Sequence, residues 1–164
     1  MCVYAVDQLA KFLVVENLAE RQPVEVLGQF VQFYFVKNAG AAFSLGSGST
    51  WIFAVIASAV AVFIIVFAPR IRSLAWAALF GLLLGGNLGN LTDRLFREPG
   101  FGVGHVVDFI QVQYFPAIFN VADMAIVASM VLFIVLTVRG VGLTGKRPVV
   151  SVSADAHASK PDVS

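Results

Sequence analysis

Charge is scarce in this chain. Of its 164 residues, 13% are Asp, Glu, Lys or Arg and 59% are hydrophobic, with a mean hydropathy of +0.85. Soluble domains carry about 25% charged residues, so there is too little polar surface here to enclose a water-soluble core. The same shortage excludes disorder over most of the length. Cysteine is scarcer still. Cys2 stands alone, which rules out an internal disulfide and any zinc site built on two or more thiolates. The two histidines, His105 and His157, are too few for most metal centres. No G-x-S-x-G, H-E-x-x-H or P-loop pattern occurs, so no metal and no organic cofactor is expected. Eleven Lys and Arg against ten Asp and Glu leave a net charge of +1, too little for a nucleic-acid footprint. What is left is a small integral membrane protein.

Long apolar runs supply its architecture. A spanning helix needs roughly 20 mostly apolar residues. Trp51 to Ala68 offers 18 without a charge and Ser73 to Leu91 offers 19. A third run, Val121 to Val138, is closed by Arg139 and carries Asp123 near its start. The N-terminal stretch reads as a fourth helix, apparently truncated. Its Asp7 and Lys11 stand four apart, share a face and can neutralise each other. The expectation is one membrane domain over 1–144, with helices at about 1–17, 51–68, 73–91 and 121–139, and a polar, disordered cytoplasmic tail over 145–164.

Basic residues orient the bundle. Arg70, Arg72, Arg139, Lys146, Arg147 and Lys160 fall on one side; Arg21, Lys37, Arg94 and Arg97 fall on the other, among Glu16, Glu20, Glu25, Asp93 and Glu98. That asymmetry puts both termini in the cytoplasm and two long loops outside. Within the first of these loops, Val24 to Val36 is rich in β-branched and aromatic residues around Gly28, and reads as a strand pair or a bulged strand. Asn38 to Thr50 is a loop rich in Gly, Ala and Ser, and EPGFGVGH after Arg97 is a turn-rich connector.

Two acids stand where acids are expensive. Asp108 lies within HVVDFI and Asp123 within FNVADMAI, 15 residues apart, with Tyr114, Phe115 and Pro116 between them to turn the chain back. Two carboxylates brought together cannot both ionise comfortably, so one keeps a proton. Such a pair supplies a general base and a general acid at once, as aspartic proteases use to set water on an amide. The plainer alternative makes Asp123 a helix-start carboxylate favoured by the macrodipole and Asp108 a solvated loop residue. Asn87 and Asn90, three apart in GGNLGNL, are expected to face the bundle interior, and Gly85, Gly86 and Gly89 to let a neighbouring helix approach, with Gly81-x-x-x-Gly85 and Gly85-x-x-x-Gly89 as ordinary packing patterns. Asp93 and Arg94 read, on spacing alone, as an interfacial ion pair.

Five blocks, in order, resemble the lipoprotein signal peptidases, the bacterial signal peptidase II family. They are Asp7-Gln8-x-x-Lys11, Lys37-Asn38-x-Gly40-Ala41-Ala42-Phe43-Ser44, Gly85-Gly86-x-x-Gly89-Asn90-x-x-Asp93-Arg94, Val106-Val107-Asp108-Phe109 and Phe119-Asn120-x-Ala122-Asp123. The resemblance covers about residues 5 to 140. It implies a mainly α membrane fold, a four-transmembrane-helix bundle with a small extracytoplasmic β-sheet and a short interfacial helix. Asp108 and Asp123 are then the catalytic dyad. Asn38, Gly40, Asn90, Asp93, Arg94 and Asn120 bind substrate or support the site, and Asp7 with Lys11 form a structural polar pair. The implied substrate is a diacylglyceryl-modified prolipoprotein, cut just before the lipidated cysteine by a monomeric enzyme among the lipids of the bacterial cell membrane. The competing reading is a small proton-coupled transporter or channel, whose carboxylates would line a path through the bilayer.

Overall fold

Four α-helices and one antiparallel sheet account for most of the residues described, 2–40 and 50–143 of a computed structural model. The expected tail and most of the loop between Asn38 and Thr50 lie outside these residues. In chain order come α1 (Cys2–Asn17), β1 (Pro23–Leu27), β2 (Val31–Asn38), α2 (Thr50–Phe67), a single 3₁₀ turn (Ala68–Arg70), α3 (Leu74–Phe96), β3 (Val106–Val112), β4 (Ile118–Phe119) and α4 (Val121–Val138). Three helical segments are long and apolar enough to cross a membrane: Thr50–Arg70, Leu74–Phe96 and Val121–Val138. Most of their large apolar side chains face outward, as on Val55, Phe63, Val131 and Ile134. A surface of that kind suits lipid, which needs no polar covering. With 16 residues, α1 reaches about 24 Å at 1.5 Å per residue, and it packs on α3 and α4.

α3 runs five residues past the expected Leu91, through Asp93 and Arg94 to Phe96. The expectation failed because charge was taken as a stop. Asp93 is fully buried and held by Lys11 of α1 and by Arg97 one turn on, so the helix carries it inward at little electrostatic cost. Small residues make the close packing possible. A Cβ on Gly86 would strike the carbonyl of Ala122 in α4, and one on Gly89 would meet the Asp7 carboxylate of α1. Gly85 faces Val3 of α1, but Gly81 faces open space, so only part of the glycine ladder serves packing.

The strand pair expected between Val24 and Val36 is a hairpin, turning at Gly28 (φ 55°) with a bulge between Glu25 and Leu27. Two further strands were not foreseen. β3 pairs with β2, with Asp108 opposite Val36 and Val106 opposite Asn38, and β4 pairs with β3 through Ile110–Phe119 and Gln111–Ile118. The sheet order is β1-β2-β3-β4. One face closes on the end of α1 around Val14, Phe35, Val107 and Phe109, with Phe33 edge-on to Phe109 at 5.9 Å. At the opposite end of the bundle, the amides of Arg72 and Ser73 and the indole of Trp76 tie down the segment after α4 by bonds to Leu143 and Val141. The 3₁₀ turn lies at that far end. Among the described residues no other short helix occurs, so the expected short interfacial helix is not found there.

Candidate active site

Asp108 reaches the bundle because β3 alternates. Val107 and Phe109 point into the apolar core under the sheet, and the side chain between them points the other way. Asp108 is nonetheless only 3% exposed, so the solvated-loop alternative does not hold. Asp123 sits at the third position of α4, where Asn120 caps the helix. The Asn120 side chain accepts from the Asp123 amide at 3.0 Å, and the Asp123 carboxylate accepts from the Asn120 amide at 3.1 Å. This capping box satisfies two otherwise orphaned amides. The helix-start role of Asp123 is therefore real, and it coexists with a second one.

Asn120 is the hinge between the two acids. Its amide nitrogen donates to Asp108 at 2.6 Å while its backbone amide donates to Asp123. Asn38 donates to the other Asp108 oxygen at 2.8 Å, and Asn90 donates to the other Asp123 oxygen at 2.8 Å. All four carboxylate oxygens thus accept from an amide. Among the described residues neither acid is in an ion pair. Burial first, and then the charge of Asp123, push the Asp108 carboxyl up to about 7, although the Asn38 and Asn120 bonds pull the other way.

The supporting residues fall into two groups. Gly40 donates its amide to Asn38 Oδ1 at 2.9 Å, which fixes the Asn38 amide so that its nitrogen faces Asp108. Arg94 donates to the Gly40 carbonyl at 3.1 Å and lies over the Phe53 ring at 5.6 Å. The second group stands behind the acids. Lys11, with no exposed surface, contacts Asp7 at 2.9 Å, Asp93 at 2.8 Å and Asn90 Oδ1 at 2.9 Å. The Asp7–Lys11 pair is therefore present, but the expected Asp93–Arg94 pair is not. Successive helix residues point about 100° apart, whereas residues four apart share a face, so Asp93 meets Arg97 at 2.6 Å and Arg94 turns to the site. Asp7 also accepts the amide of Ala122 and Asp93 that of Val107, locking the chain on either side of the dyad. Asn87 serves elsewhere, bonding the Ala57 carbonyl of α2.

Both acids open on a cavity of about 790 Å³. Asn38, Gly40, Asn90 and Arg94 form its polar end; Phe115, Ile118, Phe119, Met124 and Val127 make the rest apolar. A second cavity of about 340 Å³ meets it at Asn38 and Asp108 and is lined by Arg21, Tyr34 and Lys37. Sequence reasoning gave no role at the site to Arg97, Phe53 or the apolar wall. The spacing of four between Asp93 and Arg97 was a signal for the first; nothing local marks the others. Among the described residues, no three His, Cys, Asp or Glu side chains group to hold a metal ion.

A model of the family described as signal peptidase (SPase) II matches residues 1–139. The lipoprotein signal peptidase of Leifsonia xyli is 67% identical over 147 residues, covering 90% of this chain and 68% of that protein. The Streptomyces coelicolor protein of the same name is 49% identical over 142 residues, covering 87% and 69%. The Mycobacterium tuberculosis one is 43% identical over 138 residues, covering 84% and 68%. A bacterial membrane enzyme solved by the in meso method superposes with a TM-score of 0.76 at 26% identity, over 90% of this chain and 89% of its own. A second, at 27% identity, gives 0.73 over 84% and 88%.

Proposed function

Because the chain belongs to the signal peptidase II family, we propose that it is an aspartic endopeptidase whose Asp108 and Asp123 remove the signal peptide from diacylglyceryl-modified prolipoproteins just before the lipidated cysteine. The observation that carries this reading is the pair itself: the buried Asp108 and half-buried Asp123 carboxylates bridged by Asn120, held by amides and not by cations, at the wall of a largely apolar cavity. Amide donors orient a carboxylate and leave it able to exchange a proton. A cation would keep it ionised.

The pair holds one proton between its members near neutral pH and binds one water. The ionised acid takes the proton of that water as its oxygen attacks the scissile carbonyl. The protonated acid donates a hydrogen bond to the developing oxyanion. As the C–N bond breaks, a proton passes to the leaving amine and the dyad regains its starting state. Arg94 and Asn38 hold substrate or lipid carbonyls, since both present donors at the polar end of the cavity. The apolar remainder receives the lipid-modified, membrane-borne part of the substrate.

The basic residues support an orientation with termini in the cytoplasm and the sheet end outside a bacterial cell membrane. Arg70, Arg72 and Arg139 lie at the end of the bundle away from the sheet, and the basic residues at the sheet end have acidic neighbours. A monomer suffices, because one chain supplies both acids. A transporter would space its carboxylates along the bilayer path, whereas Asp7, Asp93, Asp108 and Asp123 all gather beside the sheet. The test is cleavage of a diacylglyceryl-modified prolipoprotein by the purified chain and by Asp108→Asn and Asp123→Asn, each first shown to be folded in detergent. Cleavage by the wild type and its loss in both variants is the expected result. Full activity in either variant would sink the dyad.

A further inference from the structure

Asp108 borders two cavities of opposite character. The larger is apolar and bounded by α4; the smaller is polar and bounded by β2 and the segment Pro116–Ile118. Tyr34, Val36 and Asn38 alternate along β2 toward the smaller one. Arg21, at its rim, is held at φ 62° with its amide bonded to the Phe35 carbonyl at 2.9 Å. Among the described residues, two cations line this space, Arg21 and Lys37, and the one lining carboxylate is that of Asp108. Glu20 and Glu98 contact Lys37 at 3.9 and 3.3 Å from outside the lining, and Glu20 lies 4.0 Å from Arg21. These pairs are solvent-exposed and so are readily exchanged for another anion.

A substrate cut at the dyad is apolar on both sides of the scissile bond, with the signal peptide before it and the diacylglyceryl group on the cysteine after it, but it is ordinary polypeptide beyond that cysteine. The signal peptide and the lipid suit the apolar space. We propose, resting on the peptidase reading above, that the smaller cavity is the subsite for the polypeptide that follows the scissile bond, and that Arg21 and Lys37 make it select acidic over basic side chains in the first residues beyond the lipidated cysteine. Tyr34 and Asn38 offer hydrogen bonds to the extended backbone there. The anionic group recognised is a carboxylate on the substrate chain. A lipid phosphate shares that chemistry and is separated from it by the experiment.

Three diacylglyceryl-modified prolipoproteins, identical except for Glu, Gln or Lys at the second and third positions after the cut, would be compared by kcat/KM with the purified full chain in neutral detergent at low salt. The order Glu, Gln, Lys is expected, with about a threefold to tenfold span between the extremes. Salt should compress the span, and the double variant Arg21→Gln/Lys37→Gln should remove it. Equal rates on all three substrates, or an unchanged span in the double variant, would overturn the assignment. Equal rates that rise with added phosphatidylglycerol through Arg21 and Lys37 would overturn it in favour of a lipid headgroup. Cleavage of none of the three would overturn the peptidase reading itself, and this inference with it.

Discussion

Two clusters of acids lie side by side in this molecule, and they are stabilised by opposite means. Asp7 and Asp93 are held by the Lys11 ammonium, with Arg97 as a second cation. Asp108 and Asp123 are held by the amides of Asn38, Asn90 and Asn120. The cationic cluster is saturated: every Lys11 donor has an acceptor, and its acids brace the amides of Ala122 and Val107. The amide cluster carries a surplus of negative charge at a cavity wall. One arrangement pairs acid with cation and suits structure. The other leaves a proton to be shared and suits chemistry. Asn90 joins them, accepting from Lys11 on one side and donating to Asp123 on the other.

The largest contrast should appear on neutralising one charged group from each cluster. Asp123→Asn is expected to lower prolipoprotein cleavage by about 10²- to 10⁴-fold, the usual weight of a general acid or base, with a folded chain by circular dichroism. Lys11→Met should do the reverse. It strands the buried Asp7 carboxylate and leaves Asp93 to Arg97 alone, and is expected to cost about 3–5 kcal/mol, read as a fall in the detergent unfolding temperature. Retention of wild-type stability would mean that the cationic cluster is not structural. A smaller effect, about 1–3 kcal/mol of overpacking, is expected from Gly86→Ala, whose methyl meets the Ala122 carbonyl; the same unfolding assay checks it.

Acidity sharpens the comparison further. Asp108 ordinarily titrates near 3.8 and is raised to about 7 in the fold. An acid raised on folding binds more protons folded than unfolded between those two values, so stability falls as pH rises from about 4 to about 7. The stability gap between wild type and Asp108→Asn should shift in favour of the variant by up to about 1.4 kcal/mol per pH unit across that window. Parallel stability curves from pH 4 to 7 would contradict the raised carboxyl. Cleavage by the wild type should also decline above about pH 7 as the dyad loses its proton, and a rate flat to pH 9 would argue against a shared proton.

What could be read from the sequence was set by what is anomalous locally. Acids in apolar runs are costly wherever they occur, so Asp7, Asp108 and Asp123 announced themselves, as did the three long apolar helices. Partner choice was not local. Asp93 has Arg94 beside it in sequence and Arg97 beside it in space, and only helix geometry separates the two. β3 escaped notice because Val106-Val107-Asp108-Phe109-Ile110 was read for its acid and not for its strand character, although its β-branched and aromatic residues fit a strand. The cavity walls were illegible for another reason. Phe115, Met124 and Val127 are ordinary apolar residues that acquire a role only where three elements converge.

The spacing of the cationic cluster bears on how such a chain enters a bilayer. On α1, Asp7 and Lys11 are four apart; at the end of α3, Asp93 and its cap residue Arg97 are four apart. Each of these two acids therefore has a counter-ion one turn along its own stretch of chain. Neither has to wait in lipid for a partner that has not yet been synthesised. When the two helices meet, Lys11 extends its grip from Asp7 to Asp93, and two self-contained pairs become one four-membered lattice. Docking thus adds an ion pair that neither helix can make alone, with one end on α1 and the other on α3.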